Sequence, residues 1–203
     1  TPHSTYSVQQ SDFEAVCNSK APLLSIHFKE SLGEEQLYQN AGALAEWYQS
    51  VGFECDFLNF NSPAERIVKS IPKNQSVIFV HNSYLTEDDI NLIMSHFTAP
   101  VYWVLCPRSN RYISGSITDA AQLLIKHGLN ILIGNDSLAS NSSLSIIEEL
   151  KCFCDIPLHT LLSWATTNGY AVFGRKPRGW INIVGADLEN MLITEQTEVK
   201  RVL

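Results

Sequence analysis

The chain has 203 residues, a formal net charge of −7, 45% hydrophobic and 17% charged residues. That length suits one large globular domain, and no clustered Lys and Arg mark a phosphate footprint, which argues against a nucleic-acid partner. No apolar run approaches the roughly 18–20 residues of a membrane span, so no membrane partner is expected.

The five cysteines, Cys17, Cys55, Cys106, Cys152 and Cys154, are odd in number and irregularly spaced. A single residue separates Cys152 from Cys154, which is neither zinc-knuckle nor redox-motif spacing. They read as reduced thiols, mostly core residues, of a cytoplasmic protein. No leader pattern opens the sequence. Its first residue is Thr1, inside the motif-like stretch TPHSTYS, so a processed chain or a portion of something longer is expected.

Residues 22–27, PLLSIH, read as a strand ending at His27, with Glu30 just beyond. Residues 34–51 place Leu37, Ala41, Leu44, Ala45 and Tyr48 at helical spacing, and Gly52 suits a C-cap. Residues 76–81 form a second strand ending at His81. A helix follows over 86–96. Thr86 is its capping hydroxyl, Glu87, Asp88 and Asp89 fill its first turn, and Asp89 stands where a capping box needs an acid. Residues 101–105 are a third strand, with Ser109 and Asn110 read as turn formers after Pro107. A helix over 117–127 stops at Gly128. Residues 130–134 are a fourth strand, followed by Asn135, Asp136 and Ser137. Helices are expected over 143–153 and 158–167, and a late strand over 180–184.

The short apolar runs suit strands buried on both faces of a parallel sheet. Strand and helix alternate, which means a parallel sheet with right-handed crossovers. An open doubly wound sheet fits, and so does part of an eight-stranded barrel. No Gly-rich phosphate loop follows the first strand. In a barrel, catalytic groups gather at the C-terminal strand ends.

Four strands deliver polar groups at that one end: His27 with Glu30, His81, the CPRSN stretch, and Asp136. Each alone is more often structural. A strand-end histidine is usually hydrogen-bonded, and Asp136 can simply cap a turn. His96, His127 and His159 lie on helical patterns, are expected to face solvent and receive no role. The joint pattern suits metal chemistry. A catalytic divalent cation takes imidazole and carboxylate ligands and keeps a position for water. A nearby carboxylate can move that water's proton, and a further imidazole can steady a developing oxyanion.

The residues PHSTYS (2–7), HFKE (27–30), VHNSYLTEDDI (80–90), CPRSN (106–110) and GNDSLASNSSLSIIEEL (134–150) follow one known order. Over residues 2 to 170 the chain resembles the C-terminal half of the amidohydrolase superfamily, in its deaminase and chlorohydrolase branch. The resemblance implies an α/β fold: about four parallel strands with helices from a TIM-like (β/α)8 metal-dependent hydrolase barrel. Residues 1–173 would be partial barrel, and 174–203 the C-terminal part of a small flanking β-sandwich. It implies His27 as a metal ligand, Glu30 as proton shuttle, His81 as the histidine orienting water and substrate, and Asp136 as metal-bound carboxylate and base. His3, Ser109 and Asn110 would bind substrate. The activity implied is hydrolysis of a C–N bond, in particular deamination of an aminated heterocycle or amidine, with zinc or iron, in a homo-oligomer.

Two departures stand out. Asn135 replaces the family's threonine, and a small effect is expected. The family's first-strand H-x-H, which carries two metal ligands, is absent from this sequence. His27 and Asp136 alone fall short of the roughly three protein ligands of a catalytic site, so metal is expected to bind weakly to this chain by itself. Open sheet edges pair with whatever is available. The expectation is a chain cut from a longer protein, or one that associates with another chain. The alternatives are a non-catalytic barrel subunit serving binding or assembly, and an unrelated open α/β sheet that binds a small anion.

Overall fold

The computed structural model describes residues 1–115, 117–175, 191–193 and 199–201. In chain order the elements are α1 (Gln10–Cys17), β1 (Leu23–Phe28), α2 (Leu32–Tyr38), α3 (Gly42–Ser50), α4 (Pro63–Ser70), β2 (Ser76–His81), α5 (Glu87–His96), β3 (Val101–Leu105), α6 (Pro107–Ser114), α7 (Ala120–Lys126), β4 (Asn130–Ile133), α8 (Ile146–Leu150), α9 (Leu158–Ala165) and α10 (Thr167–Val172). A separate antiparallel ladder joins β5 (Met191–Ile193) to β6 (Val199–Arg201). The strand expected over 180–184 lies outside the described residues.

β1 to β4 make one parallel sheet in sequential order. A doubly wound sheet reverses its order part-way; this one never does, so it winds as an arc of a barrel. Phe28 pairs with His81, Val80 with Val104 and Leu105 with Ile133, which brings the C-terminal strand ends to one rim.

The two faces of the sheet differ, against the expectation of burial on both. Leu24, Ile26, Phe28, Val77, Phe79, Val101, Trp103, Leu105 and Ile131 are buried in the main core. The alternate residues Ser25, His27, Ile78, Val80, Tyr102 and Val104 are only half-buried. Apolar residues fill both sets, which is why the runs look continuous. Phe79 centres the helix-side core, with ring centroids 5.1 Å from both Phe28 and Trp103; such aromatic pairs contribute about 0.5–1.5 kcal/mol each beyond area burial.

α5 forms as its capping box predicts: Asp89 N–H donates to the Thr86 hydroxyl, and the Asp89 carboxylate accepts from Thr86 N–H. The helix expected over 34–51 is two helices. Asn40 (φ 51°) and Gly42 (φ 82°) take left-handed backbone and break it, and a Cβ at Gly42 would run into the Gln36 side chain. The stretch read as a turn after Pro107 is the first turn of α6, with Pro at N1, where its missing N–H is harmless. α7, α8 and α9 are shorter than expected, and α1, α4 and α10 were not anticipated. α4 carried a signal: Ser62 caps it by accepting from Glu65 N–H at 3.1 Å, with Pro63 in its first turn.

The opening stretch is held by tertiary contacts. Tyr38 and Tyr48 donate their hydroxyls to the carbonyls of Thr5 and Tyr6, both at 3.0 Å. Arg66, fully buried, lies between the Phe13 and Phe57 rings and donates to the carbonyls of Thr5 and Val8. All five cysteines are free, but only Cys17 and Cys106 are buried, fewer than expected. His159 is exposed; His96 and His127 are not fully so. His96 bonds the Ile71 carbonyl and His127 bonds Glu87, each at 2.8 Å. Among the described residues, no helix is long and apolar enough to cross a membrane.

Candidate active site

The rim of the sheet is built by left-handed backbone. Lys29 (φ 53°) follows β1, His81 (φ 77°) and Asn82 (φ 58°) end β2, and Asp136 (φ 58°) follows β4. Such residues cost on the order of 1–3 kcal/mol each and persist where surrounding structure over-determines them. By strand alternation His81 would share the helix side with Val77 and Phe79. Its backbone turn instead brings its ring beside His27, with centroids 4.7 Å apart. The turn at Lys29 likewise returns Glu30 to the site, with Oε1 3.3 Å from His81 Nε2.

His3 arrives by an added bridge at the edge of β1. Ser4 pairs in parallel with His27, and His27 N–H donates to the His3 carbonyl at 2.9 Å. The His3 and His27 rings are 4.3 Å apart at their centroids. The structure therefore gathers His3, His27, Glu30 and His81 at one rim.

Asn110 projects from the first turn of α6 and holds His81. Its Oδ1 lies 2.8 Å from His81 Nδ1, and its amide donates to the His81 carbonyl at 3.2 Å. This contact puts the imidazole proton on Nδ1 and leaves the Nε2 lone pair facing the site. So Asn110, expected at the substrate, holds the fully buried His81. Asp136 sits across the rim and is exposed. Its Oδ2 accepts from the hydroxyls of Ser109 (2.8 Å) and Ser140 (2.6 Å), whose oxygens lie 2.8 Å from each other. Ser109 thus serves Asp136 directly.

The electrostatics separate these groups. Burial, then the neighbouring His81 and His3, holds the His27 imidazole down to about 4, so it is neutral near pH 7. Burial also lowers His81, against its bond to Asn110. Burial raises Glu30 above the usual carboxylate range, against the attraction of His27. Partial burial pushes Asp136 up, but the Ser140 and Ser109 hydroxyls together with His81 and His27 outweigh it, and its carboxyl is lowered. One carboxyl is biased toward the proton and the other toward the charge.

His27, Glu30 and His81 offer ligand atoms that all lie within 4.8 Å of one another. His27 Nδ1 and His81 Nε2 are buried and lack a hydrogen-bond partner among the described residues. The orphaned His27 nitrogen fits a divalent cation such as zinc, and the orphaned His81 nitrogen fits a hydrogen bond from a water beside it. A cavity of about 680 Å³ bordered by Arg108, Arg111, Leu138 and Ser140 lies apart from these groups and shares only Ser140 with the Asp136 cluster.

Sequence reasoning missed the supporting residues. Ser140 is four residues past Asp136, within a Ser/Asn-rich stretch that was the available signal. Glu149, fully buried, accepts from Arg108 N–H (3.0 Å), Asn141 (2.6 Å) and Asn135 (3.5 Å), while Asn141 also bonds the Asn135 carbonyl at 2.9 Å. This network fixes the loop that carries Asp136 and gives Asn135 a partner. Pairing between distant segments leaves no local pattern to read.

The amidohydrolase family model matches residues 1–182. The adenosine deaminase of Helicobacter pylori is 32% identical over 155 residues, spanning 74% of this chain and 37% of that protein. The crystal structure of Helicobacter pylori aminofutalosine deaminase in complex with methylthio-coformycin superposes with a TM-score of 0.69 at 30% identity, over 85% of this chain and 44% of that one. A zinc-bound adenosine deaminase structure from Xanthomonas campestris shares the fold, with a TM-score of 0.61 at 24% identity, over 85% of this chain and 38% of that one. The chain spans less than half the length of these relatives.

Proposed function

Because this chain belongs to the amidohydrolase family, we propose that it provides the His27, Glu30, His81 and Asp136 side of a metal-dependent deaminase site acting on an adenosine-like heterocycle. The observation that carries the reading is the pair of partnerless imidazole nitrogens, His27 Nδ1 and His81 Nε2, beside Glu30. The relatives that share 30% identity or more are an adenosine deaminase and an aminofutalosine deaminase. Residues 1–173 then belong to the barrel and 174–203 to a flanking sandwich, in a cytoplasmic homo-oligomer.

A divalent cation, zinc or iron, would supply a water activated at neutral pH. His27 and Asp136 would hold it, with further ligands from strands beyond this chain. Glu30, biased toward its protonated form, first gives its proton to the ring nitrogen and, as the carboxylate, then carries a water proton to the leaving amine. The water oxygen bonds the ring carbon as the C–N bond breaks. One water proton leaves with the amine as ammonia and the other returns to Glu30. His81 Nε2 accepts a hydrogen bond and orients the water. His3 lies beside His27, where it can meet the substrate.

The test is ammonia release by the intact protein from adenosine, 5′-deoxyadenosine and methylthioadenosine. Turnover of at least one supports the reading. No turnover, with no stoichiometric metal, would favour a non-catalytic barrel subunit.

A further inference from the structure

Lys29 stands between the metal-ligand candidate and the proton shuttle, yet the chemistry above makes no use of it. Its side chain is buried, and its ammonium lies 2.5 Å from Glu35 and 3.0 Å from Asp89. Burial alone would lower its proton affinity, but Glu35 and Asp89 outweigh that and keep it charged. Asp89 is itself fixed, since its Oδ2 accepts from Thr86 N–H at 2.9 Å and from the Thr86 hydroxyl at 2.6 Å. The backbone is pinned as well. Asn82 N–H donates to the Phe28 carbonyl at 2.9 Å and Tyr84 N–H to the Lys29 carbonyl at 3.0 Å. Ser114 donates to the Glu30 carbonyl at 3.2 Å.

A buried ion pair adds little net stability over an apolar replacement. What this one does is join α2, through Glu35, and α5, through Asp89, to the single left-handed residue that aims Glu30. We propose that Lys29 is a positioning residue for Glu30: its clamp between Glu35 and Asp89 holds the turn that sets the Glu30 carboxylate against His81. The inference rests on the deaminase reading for its kinetic consequence, although the geometry stands without it. Catalytic groups misplaced by about 1 Å can lose on the order of a hundredfold in rate.

The experiment uses the intact, metal-loaded protein. Lys29→Met should lower kcat about tenfold or more while KM and metal content stay within about twofold. Lys29→Arg, which keeps the charge, should recover part of the loss. In a Glu30→Gln background, Lys29→Met should cost less than about twofold more, because the group it positions is already gone. A crystal structure of Lys29→Met should show Glu30 displaced from His81, and this readout holds whether or not a substrate has been found. If Lys29→Met does not fold, Glu35→Gln replaces it in the same cycle and crystal, with a smaller effect of the same sign. Wild-type kcat in the variant, an undiminished loss in the Glu30→Gln background, or an unmoved Glu30 would overturn the proposal. Absence of turnover in the wild type, with Glu30 displaced in the variant, would overturn the deaminase reading and leave the positioning intact.

Discussion

Asn110 grips His81 at two points, its Oδ1 accepting from Nδ1 (2.8 Å) and its amide donating to the same residue's carbonyl (3.2 Å). One side chain thus holds both the ring and the left-handed backbone of His81 (φ 77°). Asn110→Ala removes both contacts and frees the tautomer. Loss of such a supporting partner costs about 10–100-fold in activity or metal affinity, and kcat/KM of the intact protein should fall within that range. Asn110→Asp should lower it too, because a carboxylate beside Nδ1 favours the imidazolium and removes the Nε2 lone pair. Unchanged kcat/KM in both variants would contradict this assignment.

Glu30 lies within reach of both histidines, so it has two possible jobs. As a proton shuttle, Glu30→Gln should reduce turnover by about 10²–10⁴-fold with metal retained. Elemental analysis beside kinetics separates the two jobs, since matched loss of metal would make Glu30 a ligand.

Arg66 is a structural cation. It bonds Gln10 at 2.9 Å and the Val8 carbonyl at 3.1 Å, bonds the Thr5 carbonyl, and stacks between Phe13 (4.5 Å) and Phe57 (4.2 Å). Arg66→Met leaves the Val8 carbonyl without its donor, at about 1–3 kcal/mol, leaves the Thr5 carbonyl with Tyr38 alone, and removes the cation stacked between two rings. Urea unfolding should show a loss of about 3 kcal/mol or more. Arg66→Lys should also destabilise, because an ammonium cannot stack as a flat fork between two rings. A loss under about 1 kcal/mol for Met would show that the loop carrying His3 does not depend on this contact.

Glu34 gives the stability a pH dependence. Burial pushes its carboxyl up to about 7, against the Thr5 hydroxyl 2.5 Å away and the amides of Lys29 and Glu30. The folded state therefore holds a proton that the unfolded state releases. Its contribution is fully present below the ordinary carboxyl value of 4.5 and is lost as pH rises through about 7. Relative to Glu34→Gln, the wild type should lose on the order of 3 kcal/mol across that window. A difference that stays flat with pH would refute the assignment.

The positions of the catalytic candidates were legible because apolar runs ending in His27 and His81 fix the strand ends by composition alone. How those residues meet was not legible. It depends on left-handed backbone at Lys29, His81 and Asp136, and none of these is a glycine that would advertise it. Ser109 and Asn110 read as turn formers because Pro107 starts turns and helices alike. Only the helical turn brings Ser109 to Asp136 and Asn110 to His81. Asn40 and Gly42 interrupt a helical pattern whose apolar spacing continues across the break. The burial of the charges on Lys29, Glu34, Arg66 and Glu149 left no pattern in the sequence to read.

The central claim is that His27, with His81 and Glu30 beside it, faces a divalent metal in the intact protein. Elemental analysis of the purified wild type and of His27→Ala tests it most directly. The account predicts stoichiometric zinc or iron in the wild type, lost from His27→Ala without loss of folding. A variant that keeps the full metal content, or a folded wild type that takes up none when zinc or iron is supplied, would contradict it.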